Sequence, residues 1–452
     1  MKALQSVPIL LLSALALPAQ ESAPTTRVAD QGTATITEDR VREVLEFLAG
    51  DELLGRDSPS PGLTRAGDFL AGRYKAAKLE GGANDGGFFH AYQLPGTRND
   101  STKIAVHVEC DDGKESDLTP DTDVRVFRSG GAFGSTLGDV EVVAIEDFGQ
   151  RGSGRGQRSR KPQLVLVSEK DALWLACAGV RESLSRGGRG EAPVLLVRKA
   201  ALAGKTVVKA AITLPEAEKV DVSLRNVVAL LPGADRQSEI VLVSSHYDHI
   251  GIGGAVRGDA INNGADDDAT GTTAVLVLAQ ALASRGARLP RTLAFVNFSA
   301  EEKGLKGSAA FAEKPPFPLE RVVCNLNLEM LGRPAPGNQG RAWLTGRKLS
   351  DLESIVAPAL ASAGVDCIQF ELEGQLFFQS DNYSLAKKGV VAHSISAGYL
   401  HPDYHRPSDE VAKIDVPHMT KVIRGLYAAC VEVASRDERP AYNEDGKALL
   451  KR

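Results

Sequence analysis

The chain has 452 residues, which is too long for one ordinary hydrophobic core and predicts two or three structural units. Its 43% hydrophobic and 25% charged residues are typical of a globular protein and exclude an intrinsically disordered one. A formal net charge of −5 gives no reason to expect a nucleic-acid partner.

The N-terminus reads "MKALQSVPILLLSALALPAQES", in which Lys2 precedes a short apolar stretch and then a set of alanines. This order predicts a secretory signal peptide over residues 1–19, cleaved after Ala19 or Ala16. The stretch is too short to favour a membrane-spanning helix, and a buried N-terminal helix is the alternative. We therefore expect an exported protein, secreted or periplasmic, that does not stay inserted in a membrane.

Residues 20–99 are interpreted as the N-terminal part of the main domain. Within them, "ITEDRVREVLEFLAGDELLGR" predicts an amphipathic helix that begins after Thr37 as N-cap. The stretch "GLTRAGDFLAGRYKAAKLEG" predicts a second amphipathic helix that ends at a glycine pair.

The sequence pattern changes over residues 100–225. Short strand-like runs such as "IAVHVE", "VEVVAI", "PQLVLVS" and "APVLLVR" take the place of the amphipathic helical stretches. Between them lies "GQRGSGRGQRSRKPQ", which predicts a surface loop, since an RNA-binding tract would carry interleaved aromatic residues. The region is interpreted as an inserted β-rich domain.

Residues 226–452 alternate between buried strands and helices. The strand-like stretches are "EIVLVSSHYD", "RTLAFVNFS", "VVCNLNLEML" and "GVVAHSISA", and the helical ones are "TGTTAVLVLAQALASRG" and "HMTKVIRGLYAACVEVA". This alternation predicts an α/β fold with a mixed, mostly parallel sheet covered by helices on both faces.

Polar clusters follow the strands of this last region, namely "SSHYDHIG", "NNGADDDATG", "NFSAEEKGLKGS", "NLNLEMLGR" and "HPDYHRPSDE". Functional side chains of such sheets gather at the carboxyl ends of the strands. Imidazoles and carboxylates together suit zinc or a related divalent ion, and one carboxylate can be shared between two ions. The acidic triplet alone could equally be a solvated turn.

The five cysteines do not add to this ligand set. They are scattered along the chain without a CxxC pair, which excludes a thiolate zinc site of the usual spacing. A single disulfide is compatible with export, and its pairing stays open.

Five stretches occur in one order, "HYDHIG", "NGADDDATGTTAVL", "NFSAEEKGLKGS", "NLEMLGR" and "DYHRPSD". Together they resemble the co-catalytic zinc exopeptidases of metallopeptidase clan MH, which include secreted bacterial aminopeptidases, glutamate carboxypeptidases and glutaminyl cyclases. The resemblance covers residues 36–95 and 226–435 and implies the zinc exopeptidase fold. Residues 100–225 resemble, more loosely, the protease-associated domain that some members carry as an insertion.

The resemblance implies two Zn²⁺ ions per chain, although other divalent ions are possible, and a ligand at each motif. His246 and Glu329 would bind the first ion, and Glu302 and His405 would bind the second. Asp267, the middle residue of the triplet, would bridge both ions, whereas its neighbours receive no ligand role. Glu329 stands where the family usually has Asp, and we interpret it as a tolerated variant, with altered metal preference as the alternative.

The resemblance also implies three further roles. Glu301 would be the general base, Asp248 would orient the imidazole of His246, and Tyr404 would stabilise the tetrahedral intermediate. The nearby polar residues without an assigned role are His249, His401 and Asp381.

The function expected from these residues is that of an exported metallopeptidase, and an aminopeptidase is favoured. The alternatives are a carboxypeptidase or dipeptidase of the same fold, a glutaminyl cyclase, and a binding relative without catalysis. The expected partner is a peptide substrate, with no nucleic acid, and the sequence leaves the oligomeric state open.

Overall fold

The computed structural model describes residues 31–128, 133–134, 140–145, 147–148, 161–184 and 192–450. The predicted signal peptide and residues 149–160 of the predicted surface loop lie outside these ranges. Among the residues inside them, no helix combines the length and the apolar character needed to cross a membrane.

Strands β1 to β20 of the described residues are numbered in chain order. They are Glu80–Gly81, Phe89–Asp100, Ala105–Cys110, Glu115–Leu118, Val124–Arg128, Phe133–Gly134, Glu141–Ala144, Gln163–Val167, Val180–Leu184, Val194–Arg198, Val207–Leu214, Glu218–Leu231, Arg236–His246, Ile252–Val256, Asp259–Ile261, Arg291–Phe298, Val322–Leu328, Arg341–Leu344, Asp366–Cys367 and Ala392–Ser396.

Helices α1 to α11 of the same residues are numbered likewise. They are Gln31–Ala34, Glu38–Leu48, Pro61–Ala76, Ala172–Ala176, Gly271–Ala283, Lys306–Glu313, Leu352–Ser362, Glu373–Leu376, Asn382–Ala386, Val416–Ser435 and Glu444–Leu450. Two irregular turns matter for the site, the 3₁₀ turn Asp51–Arg56 and the π turn Ala265–Thr270.

The central sheet has the strand order β19-β18-β20-β17-β13-β16-β12-β2-β9, with β1 beside β12. Its middle strands β20, β17, β13 and β16 are parallel neighbours, whereas β12 and β2 continue the sheet in antiparallel pairs. Every residue of β16 and β17 is buried, as expected for strands covered on both faces. The predicted mixed α/β class with a mostly parallel sheet is therefore confirmed.

The helices pack on this sheet in two groups. Helices α3, α5 and α10 contact the sheet strands, and α2 packs against α5 and α10 in the same layer. Helices α6 and α9 contact each other and pack on β12 and β17, respectively. Helix α2 begins after Thr37, whose side chain accepts a hydrogen bond from the backbone N–H of Arg40 at 3.3 Å, as predicted for an N-cap.

The described part of residues 105–214 builds two small four-stranded sheets, β5-β10-β8-β7 and β4-β3-β11-β6. A separate hydrophobic cluster, which includes Val108, Leu195 and Ile212, lies between their strands. Strand β9 of the same region instead joins the central sheet by pairing with β2. The division into residues 20–99, 100–225 and 226–452 stays a prediction.

Candidate metal centre

The predicted functional residues follow strands that end at one edge of the central sheet. Strand β13 ends at His246, which lies in register with Phe298, the last residue of the parallel strand β16. Strand β17, parallel to β13 on its other side, ends directly before Glu329. The parallel register therefore places side chains from three distant motifs side by side.

Two clusters of potential metal ligands share one carboxylate. In the first donor cluster, His246 Nε2 lies 3.3 Å from Asp267 Oδ1 and 3.2 Å from Glu329 Oε1. In the second donor cluster, His405 Nε2 lies 3.0 Å from Asp267 Oδ2 and 3.2 Å from Glu302 Oε1. The structure thus brings together all five residues to which the sequence assigned a ligand role, with one oxygen of Asp267 facing each cluster.

A sixth residue, His249, also reaches the second donor cluster. Its imidazole is fully buried, and its Nδ1 lies 2.8 Å from Glu302 Oε1 and 3.8 Å from Asp267 Oδ2. The sequence analysis gave this residue no role. Its position in "HYDHIG", three residues after His246 and just beyond a strand, is the sequence feature that could have indicated a place in the site.

Several buried polar atoms in the second donor cluster have no hydrogen-bond partner among the described residues. These atoms are Asp267 Oδ2, Glu302 Oε1 and both ring nitrogens of His249. Buried polar atoms are nearly always paired, because an unsatisfied one costs about 1–3 kcal/mol. A cation between these atoms would satisfy them, so the residues present fit a metal ion.

The electrostatics of both clusters favour positive charge. Burial alone would raise the pKa of Asp267, but contacts with His246 and His405 outweigh it and lower this pKa well below its usual value. Burial and Asp267 likewise oppose ionisation of Glu302, yet contacts with His249 and His405 lower its pKa to about 2. Asp267 and Glu302 are therefore held ionised, which favours binding of a cation.

The other two residues of the acidic triplet hold the backbone around the clusters. Asp268 accepts hydrogen bonds from the N–H groups of Gly271, Met330 and His246, at 3.0, 3.1 and 3.4 Å. It stands near the first donor cluster, but its oxygens already have these partners. Because all three aspartates are buried, the alternative of a solvated turn is excluded.

Asp266 links the acidic triplet to the segments that contain Gly332 and His401. Its Oδ1 accepts a hydrogen bond from the N–H of Gly332 at 2.8 Å, and its Oδ2 lies 3.4 Å from His401 Nε2. Asp409 accepts hydrogen bonds from the N–H groups of both Asp266 and Asp267. The backbone of the shared ligand is thereby fixed from two sides.

Asp248 is placed differently from its predicted role. The contact with His246 Nδ1 is made by the backbone carbonyl of Asp248 at 3.1 Å, whereas its carboxylate lies 3.8 Å away. That carboxylate accepts hydrogen bonds from Ser58 Oγ at 3.1 Å and from the N–H of Glu301 at 3.0 Å. Asp248 therefore positions the backbone of Glu301 and contributes its carbonyl to the orientation of His246.

The longer side chain of Glu329 has a visible consequence. While Oε1 faces His246, Oε2 accepts hydrogen bonds from Ser380 Oγ at 2.6 Å and Asn327 Nδ2 at 3.1 Å. Such contacts behind a ligand fix its orientation. Glu329 is thus anchored by its outer oxygen and directed toward the first donor cluster by its inner one.

A cavity opens beside the first donor cluster, with about 630 Å³ of empty space when the adjoining open solvent is included. Its described lining is acidic on one side and largely apolar on the other, and contains no lysine or arginine. The lining residues are Asp267, Glu301, Glu329, Met330, Trp343, Thr345, Phe370, Leu376, Gln379, Ser380, Ser394, Ser396, Tyr399, Leu400 and Tyr404. A molecule with a positive group and an apolar body suits this lining.

Glu301 and Tyr404 face this cavity. Burial and the charges of Asp381, Glu329 and Glu302 raise the pKa of Glu301 well above its usual value, despite the opposing effect of His246. The ring of Tyr404 stacks on that of His405, with 3.9 Å between ring centroids. Burial and the surrounding carboxylates raise the pKa of Tyr404, so its hydroxyl stays protonated at neutral pH.

Arg56 is a buried, positively charged residue beside the donor clusters to which the sequence assigned no role. Its fully buried guanidinium donates hydrogen bonds to the carbonyl oxygens of Leu48, Tyr247, Asn263 and Gly264, which lie close to the loops that carry the donor clusters. Burial lowers its pKa to about 10, so it stays charged at neutral pH. Arg56 therefore joins the loops of both clusters and offsets part of their negative charge.

The fold and these clusters define an α/β protein with two clusters of carboxylates and imidazoles at one edge of its sheet. The model of peptidase family M28 matches residues 226–430, which supports the resemblance to the co-catalytic zinc exopeptidases. Aminopeptidase YwaD of Bacillus subtilis (strain 168) is 23% identical over 222 residues, which cover 45% of this chain and 43% of that protein. The chain thus spans less than half of that curated relative.

Two solved structures share the fold. A zinc aminopeptidase from Bacillus subtilis aligns with a TM-score of 0.54 and 16% identity, over 89% of this chain and 96% of that one. An aminopeptidase from Aneurinibacillus sp. strain AM-1 aligns with a TM-score of 0.51 and 18% identity, over 90% and 97% of the two chains. At these identities the likeness supports the architecture.

Neighbouring aspartates of the triplet should respond differently to loss of charge. Asp267→Asn should abolish binding of both ions, because each donor cluster loses its shared carboxylate, and should also destabilise chelator-treated protein, because the contacts that hold the pKa of Asp267 down are lost. Asp268→Asn should retain both ions and change the free energy of unfolding of chelator-treated protein by about 1 kcal/mol or less, because the amide oxygen still accepts from the N–H groups of Gly271 and Met330. Urea unfolding and zinc analysis test this. Full zinc binding by Asp267→Asn would contradict the assignment.

Arg56→Met should destabilise the protein strongly, because four buried carbonyl oxygens lose a charged donor. We expect the free energy of unfolding to fall by about 3 kcal/mol or more. Arg65→Met is the matched control, since Arg65 pairs with Glu52 at the surface and its loss should cost about 1 kcal/mol or less. Equal effects of the two substitutions in denaturant titrations would refute the role of Arg56.

Proposed function

We propose that this protein is an exported two-zinc aminopeptidase that hydrolyses residues from the amino end of peptides. The observation that carries the proposal is the shared carboxylate, since Asp267 presents one oxygen to each of two donor clusters. Two ions held by such a carboxylate lower the pKa of water and polarise a carbonyl. The names of the similar proteins, which include zinc aminopeptidases, agree with this chemistry.

Glu301 is the proposed general base. It faces the cavity beside the first donor cluster, and its backbone is fixed by the hydrogen bond to Asp248. Its carboxylate would accept a proton from the attacking water and deliver it to the leaving amine. The acidic surroundings that raise its pKa help it to hold that proton between the two steps.

Tyr404 is the proposed donor to the developing oxyanion. Its hydroxyl stays protonated because burial and the nearby carboxylates raise its pKa. Stacking on His405 holds the ring at the wall of the cavity. A fixed hydrogen-bond donor at this point stabilises charge that develops in the transition state.

The cavity favours recognition of a free amino group. An enzyme that reads a terminal carboxylate needs a cationic clamp, commonly arginine, and the described lining residues include neither arginine nor lysine. Arg333, which follows the "NLNLEMLG" stretch, instead pairs with Asp403 at 2.8 Å. Carboxylates of the cavity wall would instead receive an ammonium group.

The apolar side of the cavity supports a preference for large apolar first residues. Trp343 and Phe370 stack there with 4.3 Å between ring centroids, and Met330, Leu376 and Leu400 complete the wall. Burial of an apolar side chain against such a wall is favourable by about 1.5–3 kcal/mol. We therefore propose leucine-like or aromatic N-terminal residues as the preferred substrates.

Two adjacent glutamates should separate catalysis from metal binding. Glu301→Gln should keep zinc and the fold but lose about 10²–10⁴-fold in kcat, because proton transfer is removed. Glu302→Gln should lose zinc from the second donor cluster. Zinc analysis and steady-state kinetics on the same preparations check both results, and the reverse pattern would show that the roles are exchanged.

Three forms of one peptide, such as Leu-Gly-Gly, should show which end of the substrate the protein recognises. We expect the C-amidated and the unmodified forms to be cleaved and the N-acetylated form to resist, as followed by mass spectrometry. Replacing the first leucine by aspartate should lower kcat/KM, because the cavity is acidic and apolar. Cleavage of only the acetylated and unmodified forms would indicate a carboxypeptidase, and cyclisation of N-terminal glutamine without hydrolysis would indicate a cyclase.

A further inference from the structure

The two donor clusters differ in the number of protein atoms that they offer. The first contains His246 Nε2, Glu329 Oε1 and Asp267 Oδ1. The second contains His405 Nε2, Glu302 Oε1 and Asp267 Oδ2, and His249 Nδ1 stands beside them. The two ions would therefore be held by different numbers of protein atoms.

We propose that His249 is a fourth protein ligand of the second ion, so that this ion has four protein ligands while the first has three and keeps an open position. The proposal rests on the two-metal function proposed above. It assigns to His249 a role that neither the sequence motifs nor the comparisons assign. Three observations support it.

The first observation is that the ring nitrogens of His249 have no hydrogen-bond partner among the described residues. His249 is fully buried. Its Nδ1 is near Glu302 Oε1, yet this contact is not aligned as a hydrogen bond, and that oxygen is itself unpaired. An imidazole and carboxylates that approach closely without bonding to each other are arranged for a common third partner.

The second observation is the spacing of the donor atoms. Nitrogen and oxygen atoms about 2.0–2.2 Å from a tetrahedral zinc lie roughly 3.3–3.5 Å from one another. In the second donor cluster, the imidazole nitrogens of His249 and His405 lie 2.8, 3.0, 3.2 and 3.8 Å from the two carboxylate oxygens. These four separations average about 3.2 Å, slightly below the spacing of an ideal tetrahedral site with four protein ligands, the number typical of closed zinc sites.

The third observation is the position of the cavity. Its described lining includes Asp267 and Glu329 of the first donor cluster but neither Glu302 nor His249 of the second. Asp268, the remaining carboxylate near the first cluster, is occupied by backbone N–H groups. Three protein ligands with an open position are typical of catalytic zinc sites. The first cluster, next to Glu301, is therefore the one that handles water and substrate.

The experiment counts the imidazoles bound to zinc in the second donor cluster. Glu329→Ala removes a ligand of the first cluster, and the full-length variant is then loaded with one equivalent of zinc. X-ray absorption at the zinc edge should show about two imidazoles on this ion, and about one after His249→Ala is added. One imidazole in Glu329→Ala, unchanged by the second substitution, would overturn the proposal.

Zinc affinity supplies a second readout. In competition with a chromophoric chelator, His249→Ala should weaken one of the two sites of the otherwise unmodified chain by more than the ~10–100-fold that loss of a supporting residue costs. His401→Ala is the matched control. His401 is also fully buried with an unpaired Nε2, but it lies beside Asp266 rather than Asp267. Its removal should leave the imidazole count unchanged, and a count that falls equally in both variants would contradict the assignment.

None of these measurements uses a peptide, so the inference and the proposed function can fail separately. Two imidazoles on the second ion in a protein that cleaves no peptide would refute the aminopeptidase and retain the role of His249. A working aminopeptidase with one imidazole on that ion would do the reverse. If the double variant does not fold, the imidazole count in Glu329→Ala alone decides the question.

Discussion

A buried carboxylate that faces two imidazoles is the interaction on which the arrangement of this protein depends. Asp267 is 3% exposed, and an unpaired buried charge costs many kilocalories per mole unless it is neutralised. Its two oxygens meet His246 on one side and His405 on the other. The ends of the strands, the loops and the last part of residues 226–452 must therefore converge on Asp267.

The neighbouring residues supply the rigidity that such a centre needs. Asp266 and Asp268 accept hydrogen bonds from the backbone of facing loops. Arg56 donates hydrogen bonds to backbone carbonyl oxygens of three further segments. Because these contacts are buried, they hold the ligand atoms without help from solvent. The acidic triplet thus places the proposed ligand between two structural supports, which accounts for three aspartates in a row.

The sequence predicted the parts of this picture that depend on local pattern. Alternating strands and helices indicated the α/β sheet, and the parallel centre follows from their buried runs. Polar residues directly after strands had to meet at one edge, which brought His246, Glu302 and Glu329 together. The choice of Asp267 within the triplet came from the family resemblance, because spacing alone does not distinguish three adjacent carboxylates.

Other features depend on contacts between distant segments and left little trace in the sequence. Arg56 lies almost two hundred residues before the carbonyl oxygens that it binds at positions 247, 263 and 264, so no local pattern reveals it. The contact of Ser380 with Glu329 and the approach of His249 to Glu302 likewise arise from packing. The carbonyl of Asp248, rather than its carboxylate, contacts His246 because of the local course of the backbone.

The central claim is that Asp267 is shared by two zinc ions. A crystal structure of zinc-loaded protein, with anomalous data collected on both sides of the zinc absorption edge, tests it most directly. The account predicts two anomalous peaks about 3.5–4 Å apart, one beside each oxygen of Asp267. A single peak at saturating zinc, or two peaks of which only one contacts Asp267, would contradict it.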